Sequence, residues 1–347
     1  MCPMALSTRP SALALPGTPE GALGTAVAPA ACMAVATNHT AASKSSCGVH
    51  APVDSRLVTM ETPLLITGGS GYTGRRLVRR LATQGETMRL LLRSTSDTSW
   101  IDGIEPVPHV VEGDLDDPSS LHEAMDGVQR LIHLAHIRHT SALMSVLGHR
   151  PMNRVVLVSS LRAVSQVPCL SVAEVLKGEQ AAGDMRATVI LRPSMIYGSG
   201  DDRNLSRLAS WLRRCRWLPV IGADGLHQPV HVDDVVTAIE SALRGSVFGV
   251  YSIAGPEAIR YSELIDTIGA IIGVQPRVIR CPAGLVVGAA RIWHGLRLPA
   301  PVGVAQVRRL LEDKQYDIEP ARRDLDYSPR TLRDGLVASL DDEVETC

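Results

Sequence analysis

The chain has 347 residues, a formal net charge of −1 at pH 7, seven cysteines and a single phenylalanine. That length can bury a sizeable core as one large domain or two intimate ones, and near-neutral charge gives no electrostatic case for nucleic acid or an anionic membrane. The cysteines form no C-x-x-C pair and no apolar stretch reaches the length of a membrane span, so a zinc site and a spanning segment are not expected and a reducing, cytoplasmic setting is.

Residues 1–59 are rich in Ala, Ser, Thr, Pro and Gly and almost uncharged. Such a stretch cannot bury enough apolar surface to offset its ordering entropy, so a disordered N-terminal extension is expected, with Met60 as an alternative start. The run Pro63-Leu64-Leu65-Ile66-Thr67 then predicts a buried strand. Glycines follow at 68, 71 and 74, and Arg75 to Ala82 has helical spacing. Strand, tight glycine turn and helix N-terminus together form a seat for a pyrophosphate, because the backbone can approach closely and the helix's free N–H groups favour an anion. A bare G-x-x-G-x-x-G could be an ordinary turn, but in this setting it predicts nicotinamide dinucleotide binding.

Further strands are expected at Thr87–Leu92, Glu105–Val111, Arg130–Ala135, Arg154–Ser159 and Thr188–Arg192, with a helix at 118–125. Apolar strands separated by helices predict an α/β fold: a doubly wound, Rossmann-type parallel sheet binding its ligand at the strands' carboxyl ends. The core is expected over 60–198. The remainder, 199–347, is read as a mixed segment in which a small C-terminal substrate-covering subdomain is joined by returning core elements. A helix-like segment from Asn204 to Leu218 carries Arg207, Arg213, Arg214 and Arg216 beside Trp211 and Trp217, which reads as a solvated face. Asp233 or Asp234 is expected to cap the helix that follows His231.

With Thr67-Gly-Gly-Ser-Gly-Tyr-Thr-Gly74, Gly113-Asp114-Leu115, His133-Leu134-Ala135, Val156 to Ser160, Leu191-Arg192-Pro193-Ser194-Met195-Ile196-Tyr197-Gly198 and His231-Val232-Asp233-Asp234 in order, the chain resembles an extended or atypical short-chain dehydrogenase/reductase of the NAD-dependent epimerase/dehydratase kind, from about 62 to 340. The resemblance implies that Gly68, Ser70, Gly71, Tyr72, Thr73 and Gly74 hold the pyrophosphate, that Asp114 and Leu115 sit by the adenine, and that His133, Ala135, Lys177 and Pro193 line the cofactor. Arg93 ends the second strand where an acid would bind a ribose hydroxyl; a guanidinium suits a 2′-phosphate, so NADP(H) is favoured, with NAD(H) possible.

The family's usual proton relay is a Ser or Thr after the fifth strand and a Tyr-x-x-x-Lys on the next helix. Here Lys177 supplies the lysine, Ala173 stands at the tyrosine position, and Leu161 occupies the serine position unless Ser160 takes it. His136, and equally His139, could act as a general acid near neutral pH, and Tyr197 either lines the pocket catalytically or packs. His133, His136 and His139 are spaced by three across a strand end, which does not suit a metal site. The resulting expectation is an NAD(P)H-dependent reductase of a ketone, quinone or conjugated or heterocyclic metabolite, working without the tyrosine. The alternatives are a non-catalytic NAD(P)-binding sensor or assembly protein and a nucleotide-sugar epimerase or dehydratase, the last ranked lowest. An apolar, glycine- and proline-rich segment at 281–304 is expected to help close the pocket, pointing to an apolar or aromatic small molecule. Oligomeric state is not legible.

Overall fold

The computed structural model describes residues 64–345 except 149, 184–186, 199–201, 203, 222–224, 283, 285–307 and 310. The extension expected at 1–59 and nearly all of the segment expected to close the pocket lie outside the described residues.

Seven strands build one parallel sheet. In chain order the strands are β1 (Leu64–Thr67), β2 (Met88–Leu92), β3 (His109–Glu112), β4 (Arg130–His133), β5 (Arg154–Val158), β6 (Thr188–Pro193), β7 (Ile196–Tyr197), β8 (Trp217–Ile221), β9 (Leu226–His227), β10 (Val230–His231), β11 (Gly249–Ile253), β12 (Ile259–Arg260) and β13 (Arg277–Cys281). The sheet runs β11-β6-β5-β4-β1-β2-β3. Strand order reverses at β1, which pairs with β2 on one side and β4 on the other. A crevice therefore opens at the carboxyl end of β1, where a doubly wound sheet takes its ligand.

Helices are α1 (Tyr72–Thr83), α2 (Pro118–Ala124), α3 (Thr140–Leu147), α4 (Leu170–Ala182), α5 (Leu205–Arg214), α6 (Val232–Arg244), α7 (Tyr261–Ile271), α8 (Glu319–Leu325) and α9 (Leu332–Glu345). Alternation along β1 explains how they cover the sheet. Leu64 and Ile66 face the cluster that includes Leu77 and Leu81 of α1 and Val235 and Ile239 of α6. Leu65 faces the opposite cluster, with Leu121 of α2, Leu143 of α3 and Val175 of α4. All three β1 residues are completely buried, and burial of each such side chain stabilises the fold by about 1.5–3 kcal/mol. A third cluster packs α5 against α7, with Leu205, Leu212, Leu264 and Ile268 buried.

Three local expectations are corrected. The third strand begins at His109 and not at Glu105, because Pro106 and Pro108 have no N–H to offer a ladder. The segment 204–218 is not one helix: α5 stops at Arg214, and Trp217 starts β8, which pairs with β13. The cap of α6 is His231, whose Nδ1 accepts from the Asp233 N–H at 3.2 Å. Asp233 is drawn instead to Arg76 at 2.7 Å, and Asp234 to Arg330 at 3.0 Å.

Candidate active site

The turn after β1 is shaped for a close-lying ligand. Gly68 has φ +75°, and a Cβ there would lie 2.5 Å from the Ala135 backbone nitrogen. At Gly74 a Cβ would lie 2.3 Å from the Gly68 carbonyl oxygen. The Gly71 N–H donates to the Gly68 oxygen at 3.1 Å, and Gly71 is the N-cap of α1, whose first-turn residues Tyr72, Thr73 and Gly74 line the crevice. First-turn amides and the helix dipole favour a bound anion.

Two cavities meet at this turn and share Gly68 and Ala135. One, of about 290 Å³, is lined by Ser70, Arg93, Asp114, Leu115, Asp116 and Arg138 among others. The other, of about 340 Å³, takes Gly71, Tyr72, Thr73, Gly74, His136, Val158, Ser160, Val175 and Pro193 into its walls. A glycine seat flanked by two cavities fits a dinucleotide, with adenosine in the first and nicotinamide in the second.

A third cavity, of about 390 Å³, adjoins the second through Ser160, Arg162 and Pro193. Its walls also carry Arg309, Glu312, Lys314, His227, Gln228 and Tyr316. The Glu312 carboxylate accepts from the Ser165 hydroxyl at 2.7 Å and from the Gln166 N–H. Lys314 Nζ donates to the Glu312 carbonyl at 3.2 Å and lies 3.4 Å from His227 Nε2. Gln228 ties the walls together, accepting from the Tyr316 N–H at 2.7 Å and donating to the Gly255 carbonyl at 2.7 Å. Nothing in the spacing of Arg309, Glu312, Lys314 and Tyr316 announces a site, and only the fold brings them to one cavity with Ser160 and Pro193.

Several expected site residues take other places. On α4 the buried face is Val172, Val175, Gly178 and Ala182. Lys177 is exposed, and Val175 is the side chain that reaches the nicotinamide-end cavity. Gly178 sets this rotation, since a Cβ there would lie 2.2 Å from the Ile137 carbonyl oxygen. His133 is completely buried, with Nδ1 2.6 Å from the Thr67 hydroxyl. It lines none of the three cavities, and burial pushes its pKa down to about 3, so it is neutral and joins β4 to β1. Tyr197 is buried in the third cluster, edge-on to His231 at 5.3 Å between ring centres, and donates to the Leu332 carbonyl at 3.4 Å. Burial raises its pKa, and it packs.

Of the remaining acid and hydroxyl candidates, Ser160 stands at the junction of the second and third cavities, while Leu161 is buried. The Ser160 hydroxyl accepts from the Arg162 N–H at 3.3 Å. Ser159 is committed elsewhere: its hydroxyl donates to Glu179 at 2.5 Å, and Glu179 also receives the Arg192 guanidinium. Ser194 donates to the Gln228 carbonyl at 2.6 Å. His136 lines the nicotinamide-end cavity, but its Nδ1 accepts from the Arg138 N–H at 3.3 Å, and burial followed by Arg138 lowers its pKa. His139 turns away to Asp116 at 2.8 Å.

The NAD dependent epimerase/dehydratase family model matches residues 64–159. A ceramide reductase of Caulobacter vibrioides is 30% identical over 269 residues, spanning 71% of this chain and 83% of that protein. The chain belongs to this family. A 2-alkyl-3-oxoalkanoate reductase of Stenotrophomonas maltophilia is 28% identical, over 79% of this chain and 97% of that protein. Among solved structures, gox2253 superposes with a TM-score of 0.69 at 21% identity, covering 82% of this chain and 98% of that one. MoeE5 in complex with UDP-glucuronic acid and NAD gives 0.63 at 21%, covering 82% and 100%.

Family and fold together make the chain an NAD-binding Rossmann enzyme of the oxidoreductase/epimerase type acting on a small metabolite. The preference for NADP read from Arg93 does not stand. Solved family structures hold NAD, including MoeE5 and the Bordetella bronchiseptica enzyme WbmG. The cavity explains why one arginine misleads: Asp114 and Asp116 line it together with Arg93 and Arg138, so a 2′-phosphate would meet carboxylates as well as guanidinium groups. Among the described residues, no helix is long and apolar enough to cross a membrane.

Proposed function

We propose that the chain is an NAD(H)-dependent reductase of a ketone in a small metabolite that also carries an anionic group, such as a β-keto acid. The observation that carries this reading is the third cavity, whose lining includes the guanidinium groups of Arg162 and Arg309, with the Glu312 carboxylate there already taken up by Ser165 and Gln166. Guanidinium groups bind carboxylate in a forked, two-point geometry, which would orient the ketone toward the cofactor. The glycine turn and α1 would hold the pyrophosphate, Asp114 and Leu115 would contact the adenosine, and Ser160 and Pro193 would border the nicotinamide. The bound cofactor supplies or accepts a hydride; the protein binds, orients and manages the proton. The relatives named as reductases of ceramide and of 2-alkyl-3-oxoalkanoates support ketone chemistry.

A second reading, a nucleotide-sugar epimerase or dehydratase, has more behind it than its low rank from sequence suggested. Solved neighbours with UDP-glucuronic acid or UDP-glucose and NAD favour it more directly than ketone reduction. The same two guanidinium groups would also suit a diphosphate. Nicotinamide fluorescence of the protein with NADH, challenged in turn with β-ketodecanoate, a naphthoquinone, UDP-glucose and UDP-glucuronate, separates the readings. Oxidation of NADH by the β-keto acid is expected. Turnover of a UDP-sugar with NAD, without oxidation by the β-keto acid, would overturn the first reading in favour of the second.

A further inference from the structure

The missing tyrosine leaves open which group places a proton on the substrate oxygen. Neither α4 nor the histidines of the β4 loop answer it. Val175 and not Lys177 faces the cavity, Ala173 has no proton to give, and burial lowers the pKa of His136, favouring the neutral ring, which is a very weak acid. The third cavity contains a different arrangement.

His227, on β9, is buried, and its Nδ1 lies 3.1 Å from the Gly225 carbonyl. A carbonyl can only accept, so Nδ1 carries the ring hydrogen and Nε2 presents a lone pair. That lone pair faces Lys314 Nζ at 3.4 Å. The Glu312 carbonyl accepts a second ammonium hydrogen at 3.2 Å. The Lys314 backbone is fixed as well, its N–H donating to the Leu226 carbonyl at 2.8 Å. An ammonium has three hydrogens, and two acceptors account for two. The third is available to an oxygen in the cavity that Lys314 lines together with Ser160 and Pro193.

We propose that Lys314, held by His227 and the Glu312 carbonyl, is the proton donor to the substrate's carbonyl oxygen, replacing the absent tyrosine. The inference rests on the reductase reading above. When bound, reduced nicotinamide supplies the hydride that forms the new C–H bond and is itself oxidised. Lys314 Nζ gives its proton to form the O–H bond, is left as a neutral amine and regains a proton from solvent through the cavity. In the opposite direction the neutral amine accepts the alcohol proton.

The surroundings suit this role. Burial is the main influence on Lys314 and lowers its pKa, followed by Glu312, which raises it, Arg309, which lowers it, and Asp313, which raises it. Arg162 and Tyr316 line the same cavity, and His227 is neutral because burial takes its pKa down to about 4. An ammonium poised below the ordinary lysine range is a better acid near neutral pH, as general acid catalysis requires.

The sequence makes a clean test possible, since its only lysines are 44, 177 and 314. Competitive acetic anhydride labelling across pH, read by mass spectrometry of the Lys314 peptide, should show this amine titrating below the ordinary lysine value. In β-ketodecanoate reduction, wild-type kcat should fall as pH rises through that same value. Lys314→Arg keeps the positive charge but cannot release its proton. It should lose about 100-fold or more in kcat, with KM changed less than threefold, and should lose that limb of the pH profile. A Lys314→Arg enzyme with wild-type kcat and pH profile, or an ordinary titration of the Lys314 amine, overturns the assignment while leaving the reductase reading intact. Wild-type protein that binds NADH yet reduces no ketone overturns both.

Discussion

Replacing Gly68 with alanine tests the cofactor seat and the physical reason for it together. Gly68 adopts φ +75°, a conformation that costs an L-residue about 1–2 kcal/mol. The new Cβ would also lie 2.5 Å from the Ala135 nitrogen and 2.7 Å from the Leu134 carbonyl carbon. Both are backbone atoms at the end of β4, so neither can rotate aside, and overpacking of this kind costs about 1–3 kcal/mol. The turn must shift, and a shifted turn misplaces the amides facing the pyrophosphate. The two costs together come to about 2–5 kcal/mol, and each 1.4 kcal/mol is about a tenfold change in affinity, so NADH binding should weaken by about 30- to 4000-fold. Gly85→Ala is the matching control: φ is +77° there, but nothing lies within 4 Å of the added Cβ. It should lower Tm slightly and leave NADH affinity untouched. Fluorescence titration with NADH and thermal melts of all three proteins decide the matter. If Gly68→Ala binds NADH like the wild type, or Gly85→Ala loses affinity equally, the close-approach reasoning is wrong.

Three other perturbations probe the core around the site. Lys177→Ala should leave NADH affinity and kcat within about twofold, because an exposed side chain with no part in the cavity wall changes little on truncation; a 100-fold loss in kcat would restore it to the catalytic set. Arg192→Ala should destabilise the fold by about 3–5 kcal/mol in urea unfolding, since it strands the Glu179 carboxylate, whose side chain is only 8% exposed. A change below about 1 kcal/mol would show that Glu179 finds another partner. His133 should make the fold acid-sensitive. Its folded pKa, about 3, lies below the unfolded value of 6.5, so the unfolded chain binds more protons between those two values and stability falls as pH drops. The contribution is complete above pH 6.5 and is progressively lost toward pH 3, amounting to a few kcal/mol. His133→Asn should flatten that part of the urea-midpoint profile, and an equally steep acid fall in the variant would count against it.

The cofactor end was legible in the chain because its requirements are local. A buried run from Leu64 to Thr67, glycines at 68, 71 and 74 and an amphipathic helix after them are consecutive, and each is demanded by backbone geometry at its own position. The alternation of strands and helices announced a parallel sheet, whereas its order, with β1 between β2 and β4, comes from the structure. At the other end of the site, rotation and distance decide which side chains line the cavities. Lys177 and Val175 are two residues apart on one helix, and only the contact between Gly178 and Ile137 decides which of them faces the cavity. His133 sits in a segment whose neighbours line the cofactor crevice, yet its place on β4 points it inward to Thr67. Arg93 suggested a phosphate, and only the fold shows that it shares one cavity wall with Asp116 and with Asp114, the residue expected by the adenine. Lys314 and His227 are 87 residues apart, and no periodicity links them. The amino-acid sequence by itself determined the strand, tight glycine turn and helix start at residues 64–83, because a glycine turn carries its requirements in its own backbone. Which side chains meet the substrate was decided only by tertiary structure, because those groups arrive on separate elements and their side chains are aimed by packing elsewhere.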